Sequence, residues 1–283
     1  MSLILTYNCQ SDTATLTGGS WAGSLPLGNL QSEDIAEVAR STDAALASTQ
    51  FKIDLGADKT LKTFLSGPTN LEATFQYRVR SWADAAFSVL EHDGGWLQPL
   101  GGVPSAELDW SDDHYWLGIA GHDDPRRGIW VIHVFETPVQ AQYWTLEIDD
   151  TGNPDGYVQL GRLFLGDFWV PSTGYAVSGN AFGFRDAAMS STTLSGSRHF
   201  YRRTNPRFFR FGFDHLPEAE AFRRGIRFSR VSGFDQAVHV IPDPDDTINK
   251  QVRSFLGTIH QADALEQVVW KLGAMGYEIE EII

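Results

Sequence analysis

Apolar and polar residues alternate with a period of two, in short runs divided by turn residues, and this pattern constrains the fold most. In "FKIDL", Phe51, Ile53 and Leu55 alternate with Lys52 and Asp54, the signature of a half-buried strand. Gly56-Ala57-Asp58 reads as a turn, and Leu61, Phe64 and Leu65 begin a second apolar run. Ser66–Asn70 is punctuation, after which Phe75, Tyr77 and Val79 alternate with Gln76, Arg78 and Arg80. The same syntax predicts strands over 3–7, 50–55, 60–67, 74–81, 87–91, 115–118, 128–135, 143–148 and 157–166. Turn signals at "HDGG", "GHDDP" and "DDTGNPDG" separate several of them. Many short strands between Gly, Pro and Asp turns point to an antiparallel sandwich.

The texture changes near Phe168–Ser172, which sets an expected boundary between residues 1–168 and 169–283. In the second part "TGYAVSGNAFGF" and "SSTTLSGS" read as loop or β-arm. "FFRFGF" has strand period, and a short helix is expected over Pro217–Arg224, ending before Gly225. "AVHVI" and "VRSFLGTIH" read as strands. Leu265, Val268, Val269 and Leu272 fall on one helical stripe over Ala264–Leu272, with Gly273 as its stop. "YEIEEII" reads as a terminal strand.

Charge divides along the same line. The chain carries a formal net charge of −14. Residues 1–150 hold 21 acidic and 8 basic side chains, while 151–283 hold 15 and 14. An acidic first half repels nucleic acid and anionic membranes at long range, so neither is an expected partner. No run approaches the roughly 18 apolar residues of a membrane span. "MSLILTYNC" lacks the features of a signal peptide, which sets cytoplasmic synthesis as the expectation.

Phosphate-loop, dinucleotide, zinc-protease and serine-hydrolase motifs are absent from the sequence, so no catalytic, cofactor or metal residues are assigned. Cys9 is the single cysteine and reads as structural. The neighbouring pairs Asp112-Asp113, Asp123-Asp124 and Asp245-Asp246 read as solvated turns, with a structural calcium site as the alternative. A glycosidase would need two carboxylates facing each other across a cleft, and none can be nominated. His114 and His122 lack zinc-ligand spacing.

Two constellations remain. Trp96, Trp110 and Trp116 fall beside turn signals and form a candidate glycan platform, where indole faces stack on sugar C–H surfaces and nearby carboxylates accept from hydroxyls. Arg198, Arg202, Arg203, Arg207 and Arg210, with Phe208 and Phe209, form a candidate subunit interface. Arginine with aromatics is the composition of interface anchors, and the acidic first half offers a complement.

The elements Asn29-Leu30, Arg40-Ser41, Ile53–Gly56, Asn70-Leu71, Arg78–Arg80 and Tyr157–Leu163 occur in an order that resembles the galactose-binding-like (discoidin-like) jelly roll. The version most similar is that of tail and baseplate proteins of long-tailed, siphophage-type bacteriophages. The second half, with its Arg-rich arm, "IPDPDD" and terminal "EIEEII", resembles the assembly domain of phage distal tail proteins. The resemblance implies a mainly β fold, a jelly-roll sandwich followed by a β-rich assembly domain with one or two short helices. It implies a virion tail component, assembled in the host cytoplasm, that forms a ring of its own copies, six or three. The expected partners are tail tube, baseplate or fibre proteins. The alternative is a carbohydrate-binding adhesin module that contacts host surface glycans.

Overall fold

The computed structural model describes residues 3–103, 110–111, 115–118, 128–176 and 178–283. The fold is mainly antiparallel β, a jelly-roll sandwich and a β-rich unit with short helices. The chain divides into two compact units. One comprises Cys9–Phe168 and Pro244–Arg253; the other comprises Met1–Asn8, Trp169–Asp243 and Ser254–Ile283. The division thus departs from a single cut, because each unit takes a segment from beyond residue 168 or before residue 9.

The sandwich unit is organised by one long ribbon. Phe51–Thr69 pairs antiparallel with Ile129–Asp149, from Phe51 opposite Leu146 to Thr69 opposite Ile129. Four of the expected strands are therefore two. Gly56-Ala57-Asp58 does not end the first; it marks a break in register between Asp54 and Lys59, where all three residues are exposed. On one side of the break the ribbon carries Thr15–Thr17 and Gln76–Trp82, on the other Gln159–Leu160 and Leu163–Phe164. The core between them is built from Phe51, Ile53, Phe64, Val79, Phe135, Trp144, Leu146 and Leu163 among others, the residues that alternate in the sequence. Gly161 separates the last two short strands because a Cβ there would lie 2.5 Å from the Gly67 carbonyl oxygen. Tyr115–Leu117 is a 3-10 turn rather than a strand.

In the second unit the sheet order is Gly166–Trp169, Ile4–Cys9, Val238–Ile241, Phe255–Ala262, Leu272–Glu281, Arg207–Pro217, Ala181–Phe184. Its core contains Tyr7, Trp169, Phe211, Phe213, Phe228, Val240 and Tyr277. The helix expected to stop at Gly225 runs on to Ser232, through a wider turn at Ala221–Gly225. Gly225 is a packing position instead, since a Cβ there would meet Met275 Sδ at 2.6 Å. The helix expected over Ala264–Leu272 is a hairpin. Glu266–Val269 pairs with Leu272–Glu281 around Lys271 at φ 63°, and Val268, Val269 and Trp270 are exposed.

Candidate functional site

Along Gln76–Trp82, Tyr77, Val79 and Ser81 turn into the core, so Arg78 and Arg80 stand on the opposite face. The neighbouring strand brings Glu147 opposite Arg78 and Thr145 opposite Arg80; Asp93, on Leu90–Asp93, faces Arg80 from the other side. Both guanidiniums converge on Glu147, which is 4% exposed. Arg78 donates from Nε at 2.8 Å and from a terminal nitrogen to one carboxylate oxygen, and Arg80 donates to the other. Burial lowers the Arg80 pKa, and the neighbouring Arg78 charge lowers it further, against the pull of Asp93.

Each arginine also lies over an indole. Arg78 sits 4.7 Å from the centre of Trp96 and Arg80 5.0 Å from that of Trp82, cation–π distances. Trp82 Nε1 donates to Thr145 Oγ1 at 3.1 Å. Trp96 is held in place because its neighbour Leu97 makes two backbone hydrogen bonds with Tyr77, each 2.9 Å. The turn before it depends on Gly95 at φ 68°, whose N–H donates to Asp93 Oδ1 at 2.9 Å. The other Asp93 oxygen lies 3.9 Å from Arg78, beyond hydrogen-bond reach. An indole, a guanidinium and a carboxylate, all partly open to solvent, therefore share one face of the strands.

Trp96 is 37% exposed, while Trp110 and Trp116 are 82% and 90% exposed. Tyr115 meets Trp116 edge-on at 5.4 Å. Asp112, Asp113, His114, His122, Asp123 and Asp124 lie outside the described residues. Asp246 caps a local turn: it accepts from Asn249 N at 2.9 Å and from Arg253 at 2.8 Å.

The arginine–aromatic set separates into two groups. Arg198, Arg202 and Arg203 are exposed. Arg207 is 3% exposed and paired with Glu281, and Phe209 is 4% exposed within the core. Strand period places these two inward, so neither presents a surface to a partner. Phe208 is half-buried beneath Arg185. Arg210 is exposed but bonded to Glu278 at 2.7 Å. Burial opposes the Glu278 charge, yet hydrogen bonds and charge from Arg210 and Arg185 hold its carboxyl below the ordinary range.

Cys9 Sγ donates to Asp12 Oδ1 at 3.2 Å. Burial, with the Asp12 charge, pushes its thiol up to about 11, leaving a poor nucleophile at neutral pH. Among the described residues, no cluster of three or more His, Cys, Asp or Glu side chains could hold a metal ion. The residues that sequence reasoning missed are Glu147 and Asp93. The strand period showed that Arg78 and Arg80 leave the core, but Glu147 reaches Arg78 only through a register that joins residues 69 positions apart, and Asp93 through the pairing of a third strand.

No protein-family model and no curated protein matches the sequence. Among solved structures, the chain is similar to the family 32 carbohydrate-binding module of Clostridium perfringens NanJ, solved in complex with galactose. The identity is 13%, the match covers 58% of this chain and 99% of that one, and the TM-score is 0.38. A second such module, from a family 31 glycoside hydrolase of the same organism, gives 10% identity, 57% and 99% coverage, and a TM-score of 0.37. A Ruminococcus gnavus family 29 fucosidase solved with fucose gives 11% identity and a TM-score of 0.34 over 56% of this chain. The match there spans 26% of the fucosidase. None of these three is a phage tail protein.

Proposed function

We propose that the protein is a non-catalytic carbohydrate-binding protein of the adhesin type, and that its sandwich unit holds the sugar site around Trp96. The observation that carries this reading is the shared face of Trp96, Arg78 and Asp93. Trp96 offers an apolar ring face for the C–H side of a pyranose. Arg78, fixed by Glu147, keeps a terminal nitrogen directed at hydroxyls, and the unshared Asp93 oxygen accepts from them. Glycan arrays followed by calorimetry test the reading: Trp96→Ala should weaken the best glycan at least tenfold, about 1.4 kcal/mol. Unaltered affinity after that change would remove Trp96 from the site.

The division of charge favours contact between copies, and we propose on the sequence resemblance, as a second reading, that the chain is one copy of a ring at the end of a phage tail. Recovery of the chain in several copies from purified tailed particles checks it.

A further inference from the structure

The ribbon formed by Ala181–Phe184 and Arg207–Pro217 does not stop at the sheet. Ala181 faces Arg210 and Phe184 faces Arg207; further out, Met189 faces Tyr201 and Thr192 faces Arg198. Arg185 N bonds to Pro206 O between the two stretches. Met189–Thr192 and Arg198–Tyr201 form a two-stranded sheet of their own. Every residue from 189 to 203 is exposed.

A lone two-stranded hairpin is marginal in water, and this one spends large apolar groups on solvent. Met189, Leu194, Phe200 and Tyr201 are exposed by 55% to 111%, and Phe182 and Phe184 nearer the sheet by 39% and 54%. Met189 and Tyr201 are directly paired and share one face, whereas Phe200, paired with Ser190, and Arg198 lie on the other. Residues 188–203 carry Arg198, Arg202 and Arg203 and no carboxylate. They would extend about 25 Å, some eight residues per strand at roughly 3.3 Å each.

We propose that this ribbon is an arm that docks on the acidic sandwich unit of a second copy of the chain. Charge selects that occupant. Residues 1–168 hold 23 acidic and 9 basic side chains, the complement of an arm with three arginines. Pairing of one arm with another would bring six arginines together and is disfavoured. An arm reaching a different surface either is exchanged reciprocally within a symmetric pair or propagates from copy to copy as a heterologous contact, and the limiting mass separates the two. The inference gives the second reading above its contact surface and does not depend on sugar binding.

Light scattering on the full chain across concentration, at about 50 mM and about 500 mM salt, tests it. The expected result is a mass rising to a multiple of one chain at low salt and falling towards one chain at high salt. Arg198→Glu, Arg202→Glu and Arg203→Glu together should abolish the rise with no change in melting temperature. A monomer under every condition, or association that survives the triple change, would overturn the proposal. A second variant replaces residues 188–203 by Gly-Gly and carries a tag. It cannot donate an arm, but it should still capture the untagged wild-type chain at low salt. Failure of that capture while wild type associates with itself would assign arm-to-arm contact and overturn the partner named here.

Discussion

A buried histidine without partners couples stability to pH, and among the described residues two histidines of different design are buried. His239 is fully buried between its strand neighbours Thr6 and Leu256. Neither ring nitrogen has a hydrogen-bond partner, and burial lowers its pKa to about 3. His133 lies edge-on to Tyr77 and Phe135; burial, then the charges of His92 and Lys250, lower it to about 4. Both folded values are below the ordinary 6.5, so folding favours the neutral ring. That contribution is complete above pH 6.5 and is lost as pH falls from there towards the folded values. Melting temperature should therefore be flat above about pH 6.5 and decline between about 6.5 and 4.5, before the carboxylates of Glu278 and Asp246 begin to protonate. His239→Leu should flatten that decline in calorimetric scans. An unchanged slope would show that the ring is already charged or solvated in the folded chain.

At the scale of elements, side chains finish what backbone pairing leaves open. Gln251 lies in the helical turn Lys250–Arg253, just after the turn that Asp246 caps, and its amide docks on the backbone of Trp130. Gln251 Oε1 accepts from Trp130 N at 3.1 Å, and Nε2 donates to Trp130 O at 2.6 Å. Gln251→Ala would leave both backbone groups buried and unpaired, a cost of about 1–3 kcal/mol, visible as a lower denaturant midpoint. Gln251→Glu should be at least as damaging at neutral pH, since a carboxylate has no proton to donate to Trp130 O. The sequence held no sign of this contact, which joins residues 121 positions apart. What was legible follows the same division. Strands whose alternation is strong, such as Phe51–Leu55 and Phe209–Phe213, were readable because one face must be buried. The stripe from Leu265 to Leu272 misled, because a helical period says nothing about whether a surface exists to receive it. Pairing with the terminal strand decided the matter, and Lys271 could take the turn. Of the candidate site, Trp96 was readable as an aromatic beside a turn; Arg78, Asp93 and Glu147 needed the register of three strands.

At the scale of the whole molecule, the chain is threaded so that neither unit is complete in one stretch. The sheet of the second unit places Ile4–Cys9 between Gly166–Trp169 and Val238–Ile241, and Leu3, Leu5 and Tyr7 belong to its core. The sandwich unit in turn takes Pro244–Arg253, including Gln251, from within the second half of the sequence. A cut at 168/169 therefore removes Ile4–Cys9 and most of Gly166–Trp169 from one sheet and a single docked segment from the other unit, which are unequal losses. Losing them leaves the backbone groups of Val238–Ile241 without their partners on that side and empties a site filled by Tyr7, whose ring meets Phe228 edge-on at 5.2 Å. A fragment of residues 169–283 should then show no cooperative thermal transition, while residues 1–168 should fold with a lowered melting temperature. A peptide covering residues 1–12, added in excess, should restore a transition to the 169–283 fragment by mass action, followed by circular dichroism. Cooperative folding of 169–283 alone would mean that its sheet closes without Ile4–Cys9, and the strand order would then be a product of linkage rather than of packing.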